Sequence, residues 1–214
     1  DDGTLLMTTG DGFEYREASQ DTFSQLGKII RINSDGSVPD NNPFSNGKKG
    51  DPKVWSYGHR NPQGLALDQH TGEVYMHEHG PQGGDELNSV LPAKNYGWPA
   101  VTQGINYSGA YVSPLRSAPG VEEPLTFWVP SIAPSGLAIY KGAAFPDWYG
   151  DLFVGALVDQ EVRRIDLKAG KVVGEESIFT EVGARIRDVR AGPDGYLYIL
   201  TDSESGKLLR VVPD

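Results

Sequence analysis

The sequence predicts an all-β fold, and three observations carry that expectation. Helical periodicity is nearly absent: only Asp21–Leu26 reads as a short helix, and Gly27 ends it. Glycine (27) and proline (15) together make nearly a fifth of the 214 residues, which calls for many tight turns between short elements. A strand-turn pattern also recurs along the chain.

The recurring pattern sets the architecture. Asp2-Gly3-Thr4-Leu5-Leu6-Met7-Thr8-Thr9-Gly10-Asp11 is echoed by Asp194-Gly195-Tyr196-Leu197-Tyr198-Ile199-Leu200-Thr201-Asp202. Gly72-Glu73-Val74-Tyr75-Met76 and Gly150-Asp151-Leu152-Phe153-Val154 are looser copies. A second strand follows the first and last copies, at Gly27-Lys28-Ile29-Ile30-Arg31-Ile32 and Gly206-Lys207-Leu208-Leu209-Arg210-Val211. From Gly150 to Gly195 the spacing is 45 residues, the length of one four-stranded propeller blade, roughly 40–50 residues. The expected unit is a half-buried inner strand that starts at the glycine turn and hairpins into an outer strand. One such unit cannot cover both its faces, so blades must stack around an axis. A β-sandwich with coincidental Asp-Gly turns is the competing architecture. The longer gaps place insertions at Val38–Lys53 and Tyr96–Pro124. At 45 residues per blade the chain covers about three to four antiparallel blades, fewer than a closed ring needs, so it is expected to be one partial propeller domain over residues 1–214. The start at Asp1-Asp2-Gly3, without methionine, reads the same way.

Charge and composition exclude several functions. A net charge of −10 repels the phosphates of nucleic acid. The absence of cysteine removes disulfides, thiolate metal sites and a thiol nucleophile. No apolar run approaches the roughly 18 residues of a membrane span. Walker loops, a helix-opening G-x-G-x-x-G, G-x-S-x-G and H-E-x-x-H are all missing.

Three clusters hold candidate chemistry. His77-Glu78-His79-Gly80-Pro81-Gln82-Gly83-Gly84-Asp85-Glu86 follows a strand, and its glycines let backbone carbonyls approach a ligand or cation. Asp85 and Glu86 add hard oxygen donors suited to Ca²⁺. His77 and His79 share a strand face, so a zinc site is conceivable, with His59 or His70 as third ligand; a solvated loop in which Asp85 caps a turn is the plainer alternative. Tyr57-Gly58-His59-Arg60-Asn61-Pro62-Gln63-Gly64 offers a guanidinium fork and an amide, suited to a carboxylate or a quinone oxygen. Arg185 and Arg187 fall on one strand face opposite Ile186. They point either to an anion site or to ion pairs with Asp188 or Glu181.

Taken together these stretches resemble the glucose/sorbosone dehydrogenase family, in particular its soluble aldose sugar dehydrogenases that use pyrroloquinoline quinone. The resemblance also rests on Asp35-Gly36-Ser37-Val38-Pro39-Asp40-Asn41-Asn42-Pro43-Phe44, Asn95-Tyr96-Gly97-Trp98-Pro99 and Arg185-Ile186-Arg187-Asp188-Val189, in order along the chain. It implies a six-bladed propeller with the quinone in a rim cleft. Arg60 and Asn61 would face the quinone oxygens, and Arg185 and Arg187 would pair with its carboxylates. Ser131 would supply a hydroxyl contact, and His79 would line the cofactor. The Gly80 and Pro81 carbonyls would hold a bridging Ca²⁺, with Asp85 supporting their loop. Glu86 and the Tyr96 carbonyl would hold a structural Ca²⁺. The implied reaction oxidises the anomeric carbon of an aldose to a lactone by hydride transfer to the quinone, with an unidentified external electron acceptor. The location implied is periplasmic or secreted. Two departures stand out. None of the four histidines matches the family's catalytic base, and Val158 stands where a lysine is common. The chain is therefore expected to carry most of the cofactor site but not the base. Missing blades or a second chain would close the ring. The other expectations are a calcium- or ligand-binding module without turnover and a self-assembling propeller.

Overall fold

The computed structural model describes residues 2–213. Fourteen strands run in order: β1 (Thr4–Thr9), β2 (Lys28–Asn33), β3 (Val54–Tyr57), β4 (Pro62–Leu67), β5 (Val74–Glu78), β6 (Asp85–Ser89), β7 (Thr126–Trp128), β8 (Pro134–Ile139), β9 (Leu152–Ala156), β10 (Val162–Lys168), β11 (Lys171–Ile178), β12 (Ile186–Ala191), β13 (Leu197–Thr201) and β14 (Leu208–Val211). They form four antiparallel meanders, ordered β1-β2-β3, β4-β5-β6-β7, β8-β9-β10-β11 and β12-β13-β14. The sheets stack like blades, with β8 packed against both β4 and β12, which is a propeller arrangement. Two blades have the expected four strands; among the described residues, the first and last have three.

The repeated glycines have a single physical cause. Gly3, Gly72, Gly150 and Gly195 all adopt positive φ, between 72° and 97°, a region that side chains rarely tolerate. Each precedes a strand of the repeat: β1, β5, β9 and β13. One expectation is corrected here. In the last three sheets the glycine-started strand is second, while β4, β8 and β12 lie innermost. Being second, β5 and β9 are covered on both faces, and every residue of each is buried. The outer strand β11 instead alternates between exposed and partly buried positions along its first five residues.

The core lies between blades. Ile29, Val74, Met76 and Val90 join the first two sheets. Tyr75, Leu87 and Trp128 meet Leu137, Leu152, Val154 and Ile165 between the second and third. Ala138, Tyr140, Phe153 and Val162 meet Ile186, Val189, Leu197 and Ile199 between the third and fourth. This is the burial that no isolated blade provides.

The helix expected at Asp21–Leu26 does not form. Asp21 accepts the Phe23 amide on its carboxylate at 2.9 Å and the Ser24 amide on its carbonyl at 3.1 Å, which makes a turn instead. Lys28, fully buried, donates its ammonium to the carbonyls of Ala18, Ser19 and Leu26, and so pins the loop from outside. Among the described residues, helical ones are confined to 3-10 turns at Arg16–Ser19, Pro146–Trp148 and Thr180–Val182. The two expected insertions are largely irregular, and the second is tied back by bridges from Asn95 to Tyr57 and from Ile105 to Gln82.

Candidate active site

In an antiparallel meander, alternate connections fall at the same end of the sheet. The loops after β1, β3, β5, β7, β9, β11 and β13 therefore gather at one rim. That topology brings Arg60, Asn61, His79, Gly80, Pro81 and Ser131 to the same end.

Two buried carboxylates brace the site. Glu78 ends β5 and is buried; its Oε2 accepts the backbone N–H groups of Arg60 and Asn61, the latter at 3.2 Å. Its Oε1 lies 3.1 Å from His59 Nδ1. His59 in turn meets Ser56 Oγ at 2.9 Å and stacks on Tyr96. Asp85 has no exposed surface and ties two loops together. Its Oδ1 accepts the Gly80 N–H at 3.0 Å, and its Oδ2 accepts the Ser131 hydroxyl at 2.6 Å and the Ala133 N–H at 3.0 Å. Asp85 thus supports the glycine loop as expected. The Ser131 proton is committed to Asp85, which leaves the hydroxyl oxygen only its accepting capacity.

Arg60 crosses this rim. Its Nη1 donates to the carbonyls of His79 at 3.0 Å and Gly80 at 2.7 Å, and the guanidinium lies over Trp98. The carbonyls gathered by the glycine loop therefore attract a cation, and here a guanidinium satisfies them. Asn61 is half-buried, and its side-chain oxygen accepts from Gln63 at 3.0 Å. A cavity of about 620 Å³ opens above, lined in part by His79, Gly80, Pro81, Gln82, Tyr107 and Ser131.

A second, much smaller space of about 10 Å³ is walled by Glu78, Glu86, Gly80, Tyr96, Arg60 and Trp98 among others. Loss of water and the Glu78 carboxylate hold the pKa of Glu86 above the usual carboxylate range. Glu86 and Tyr96 both border this small space. The acidic pair at its wall suits a hard cation.

The histidines do not converge on a metal. His77 and His79 do share a face, but each turns Nε2 to a carbonyl at the β8 side: Gly136 at 3.2 Å and Pro134 at 2.7 Å. His59 is taken by Glu78, and His70 is exposed in the turn after β4. Among the described residues no group of three or more His, Asp or Glu side chains is placed to hold a metal ion. A zinc centre built on His77 and His79 has no support.

Arg185 and Arg187 lie on one exposed face, opposite buried Ile186, as the alternation predicts. Neither pairs with the partners suggested for it, since both donate to Asp202, at 3.0 and 2.9 Å. They do not line the 620 Å³ cavity. Val158 is exposed in the turn after β9, and its N–H donates to Ile132 at 3.1 Å beside the Ser131 loop.

Several rim residues stood in recognised stretches, but their contacts had no signal in the sequence. Asp11 accepts the Trp98 indole N–H at 2.8 Å, a contact spanning 87 residues. Glu78 was visible only as the residue between two histidines. Asp202 closes the repeated stretch Asp194–Asp202, which marked it as a turn residue and not as the partner of Arg185 and Arg187.

The family model for Glucose / Sorbosone dehydrogenase matches residues 1–210. The aldose sugar dehydrogenase YliI of Escherichia coli (strain K12) is 44% identical over 213 residues, covering 99% of this chain and 57% of that protein. The crystal structure of the soluble aldose sugar dehydrogenase from Escherichia coli in its apo-form aligns with a TM-score of 0.93 at 44% identity, over 100% of this chain and 62% of that one. The PQQ-bound aldose sugar dehydrogenase of Streptomyces coelicolor aligns with a TM-score of 0.74 at 29% identity, over 98% of this chain and 57% of that one. The chain spans less than two thirds of each.

Proposed function

Because the chain belongs to the glucose/sorbosone dehydrogenase family, we propose that its rim holds pyrroloquinoline quinone and Ca²⁺ in an aldose dehydrogenase. The observation that carries this reading is the convergence of Arg60, Asn61, His79, Gly80 and Ser131 from three separate loops, braced by buried Glu78 and Asp85. Bound there, the quinone supplies the hydride acceptor for oxidation of an aldose at its anomeric carbon.

This chain's residues bind, orient and neutralise. Arg60 brings a permanent cation to the rim, bonded to the His79 and Gly80 carbonyls that border the cavity, and Glu78 fixes its backbone. A guanidinium held in place stabilises negative charge without reorganising during reaction. Asn61 adds an amide, and Ser131 an accepting oxygen whose orientation Asp85 sets. Arg185 and Arg187 form a cationic pair suited to carboxylates, with Asp202 as their present partner. The carbonyls now held by Arg60 and the acidic space at Glu86 both suit hard cations.

A base is not evident among these residues. His59 and His77 are buried and bonded, His79 Nε2 donates to the Pro134 carbonyl, and His70 lies in the turn between β4 and β5. This favours a division in which residues 2–213 bind the cofactor while proton abstraction falls to a group outside them. The test compares the full-length protein with the 214-residue chain, each supplied with Ca²⁺ and the quinone. The full-length protein should oxidise aldoses with an artificial acceptor. The chain alone should bind quinone by equilibrium dialysis yet turn over slower by about 10²–10⁴-fold, the usual effect of losing a general base. An inactive full-length protein would overturn the assignment, and rapid turnover by the chain would overturn the division of roles.

A further inference from the structure

A row of three hydrogen-bonded side chains runs behind the rim: Ser56 on β3, His59 in the turn after it, and Glu78 at the end of β5. Ser56 and His59 have no exposed surface and Glu78 is buried, so water does not compete for the bonds between them.

Packing alone does not call for a histidine here. The ring stacks on Tyr96 with centroids 4.7 Å apart, and a phenyl ring would fill the same space. Burying an imidazole is unfavourable unless its nitrogens find partners. Both do: Nε2 lies 2.9 Å from Ser56 Oγ and Nδ1 lies 3.1 Å from Glu78 Oε1. The direction of these bonds follows from Glu78. Its Oε2 already accepts the N–H groups of Arg60 and Asn61, so the carboxylate acts as an acceptor and Nδ1 carries the proton. Nε2 of the neutral ring is then bare and accepts the Ser56 hydroxyl.

Three consecutive residues thus end on one carboxylate: His59 through its ring, Arg60 and Asn61 through their backbones. The flanks of this segment are tied elsewhere. The His59 N–H donates to the Gly27 carbonyl at 3.1 Å, and the His79 N–H to the Asn61 carbonyl at 3.1 Å. Glu78 is the point at which the middle of the segment is held. With only Oε2 engaged its carboxylate could turn about that oxygen; the imidazole on Oε1 prevents it.

We propose that His59 is a positioning residue for the rim: it donates to Glu78 from Nδ1, with Ser56 fixing the other end of the ring, and so locks the carboxylate that sets Arg60 and Asn61. A site depends on such support because a misplacement of an ångström in the groups it orients costs far more than one bond. The inference rests on the cofactor reading above and extends it to a residue that meets neither cofactor nor sugar.

The experiment uses the full-length protein. Nitrogen-15 shifts of the His59 ring in the apoprotein should place the proton on Nδ1, and a proton on Nε2 alone overturns the proposal without any variant. His59→Phe keeps a ring against Tyr96 but has no donor, whereas His59→Asn keeps an amide near the place of Nδ1. Amide exchange at Arg60 and Asn61 should be about tenfold faster in His59→Phe, the lower range for one bond to a charged group. In His59→Asn it should stay close to wild type. Binding of pyrroloquinoline quinone by equilibrium dialysis should follow the same order, about tenfold weaker in the first variant and restored in the second. In an Arg60→Ala/Asn61→Ala background, His59→Phe should weaken binding by no more than about twofold, because the groups it orients are gone. An equal loss in both backgrounds overturns the proposal, since His59 would then act by packing. So does unchanged exchange at the two amides. If the wild type binds no quinone, the cofactor reading fails, while the tautomer and the exchange rates still decide the positioning.

Discussion

Asp85 shows how one buried side chain joins two loops distant in sequence. Three donors from residues 80, 131 and 133 end on its two oxygens, and no solvent reaches it. Asp85→Ala strands two backbone N–H groups and a hydroxyl, each costing more unpaired and buried than a net hydrogen bond returns. The expected loss is about 2–4 kcal/mol of unfolding free energy in urea. Faster amide exchange at Gly80 and Ala133 should accompany it. Amides that stay as protected as in the wild type would show that other contacts hold these loops. The glycine-rich setting marked Asp85 as a turn cap, because Asp beside glycines is turn chemistry, and the family resemblance implied its support of the loop. Its partner Ser131 could not be read from spacing, since 46 residues separate them.

Strands β5 and β8 carry a pH response between their sheets. His77 lies on β5 with its ring fully enclosed, Nε2 at the Gly136 carbonyl and Nδ1 without a partner. Burial pulls its pKa down to about 4 from an ordinary 6.5. The unfolded chain takes the proton near pH 6.5, whereas the folded chain resists until about pH 4. Stability from this residue is therefore complete above pH 6.5 and is lost progressively down to about pH 4. The loss amounts to roughly 3 kcal/mol at about 1.4 kcal/mol per pKa unit. Urea midpoints measured from pH 7 to 4 should fall more steeply in the wild type than in His77→Gln. Parallel curves would mean that His77 does not govern the acid limb. Alternation on the strand correctly placed His77 and His79 on one face. What that face meets was undetermined, and the answer was carbonyls of a neighbouring blade rather than a metal. The opposite case is the segment 21–26, where local periodicity suggested a helix. Asp21 and the buried Lys28 ammonium won through side-chain bonds to the backbone.

At the scale of the whole molecule, stability lies in the seams between blades. Leu137 is 1% exposed and sits among residues from the second and third sheets. Leu137→Ala removes contacts from both and is expected to cost about 2–5 kcal/mol, the range for truncating a buried leucine. The lower unfolding midpoint should appear together in near-UV and far-UV circular dichroism if the blades unfold as one. Two separated transitions would show that the sheets fold independently. By itself, the sequence determined the β class, the repeat and its glycine turns, because turn geometry is a local property of a few residues. It also determined the candidate rim residues, whose motifs are short and contiguous. Only the tertiary structure decided that the glycine-started strand is second in the last three sheets, that Arg60 rests on the His79 and Gly80 carbonyls, and that Asp202 joins the two arginines. Those facts depend on how sheets dock and on contacts between residues far apart in the chain. No local pattern encodes them, because a side chain's partner is set by packing rather than by its neighbours in sequence.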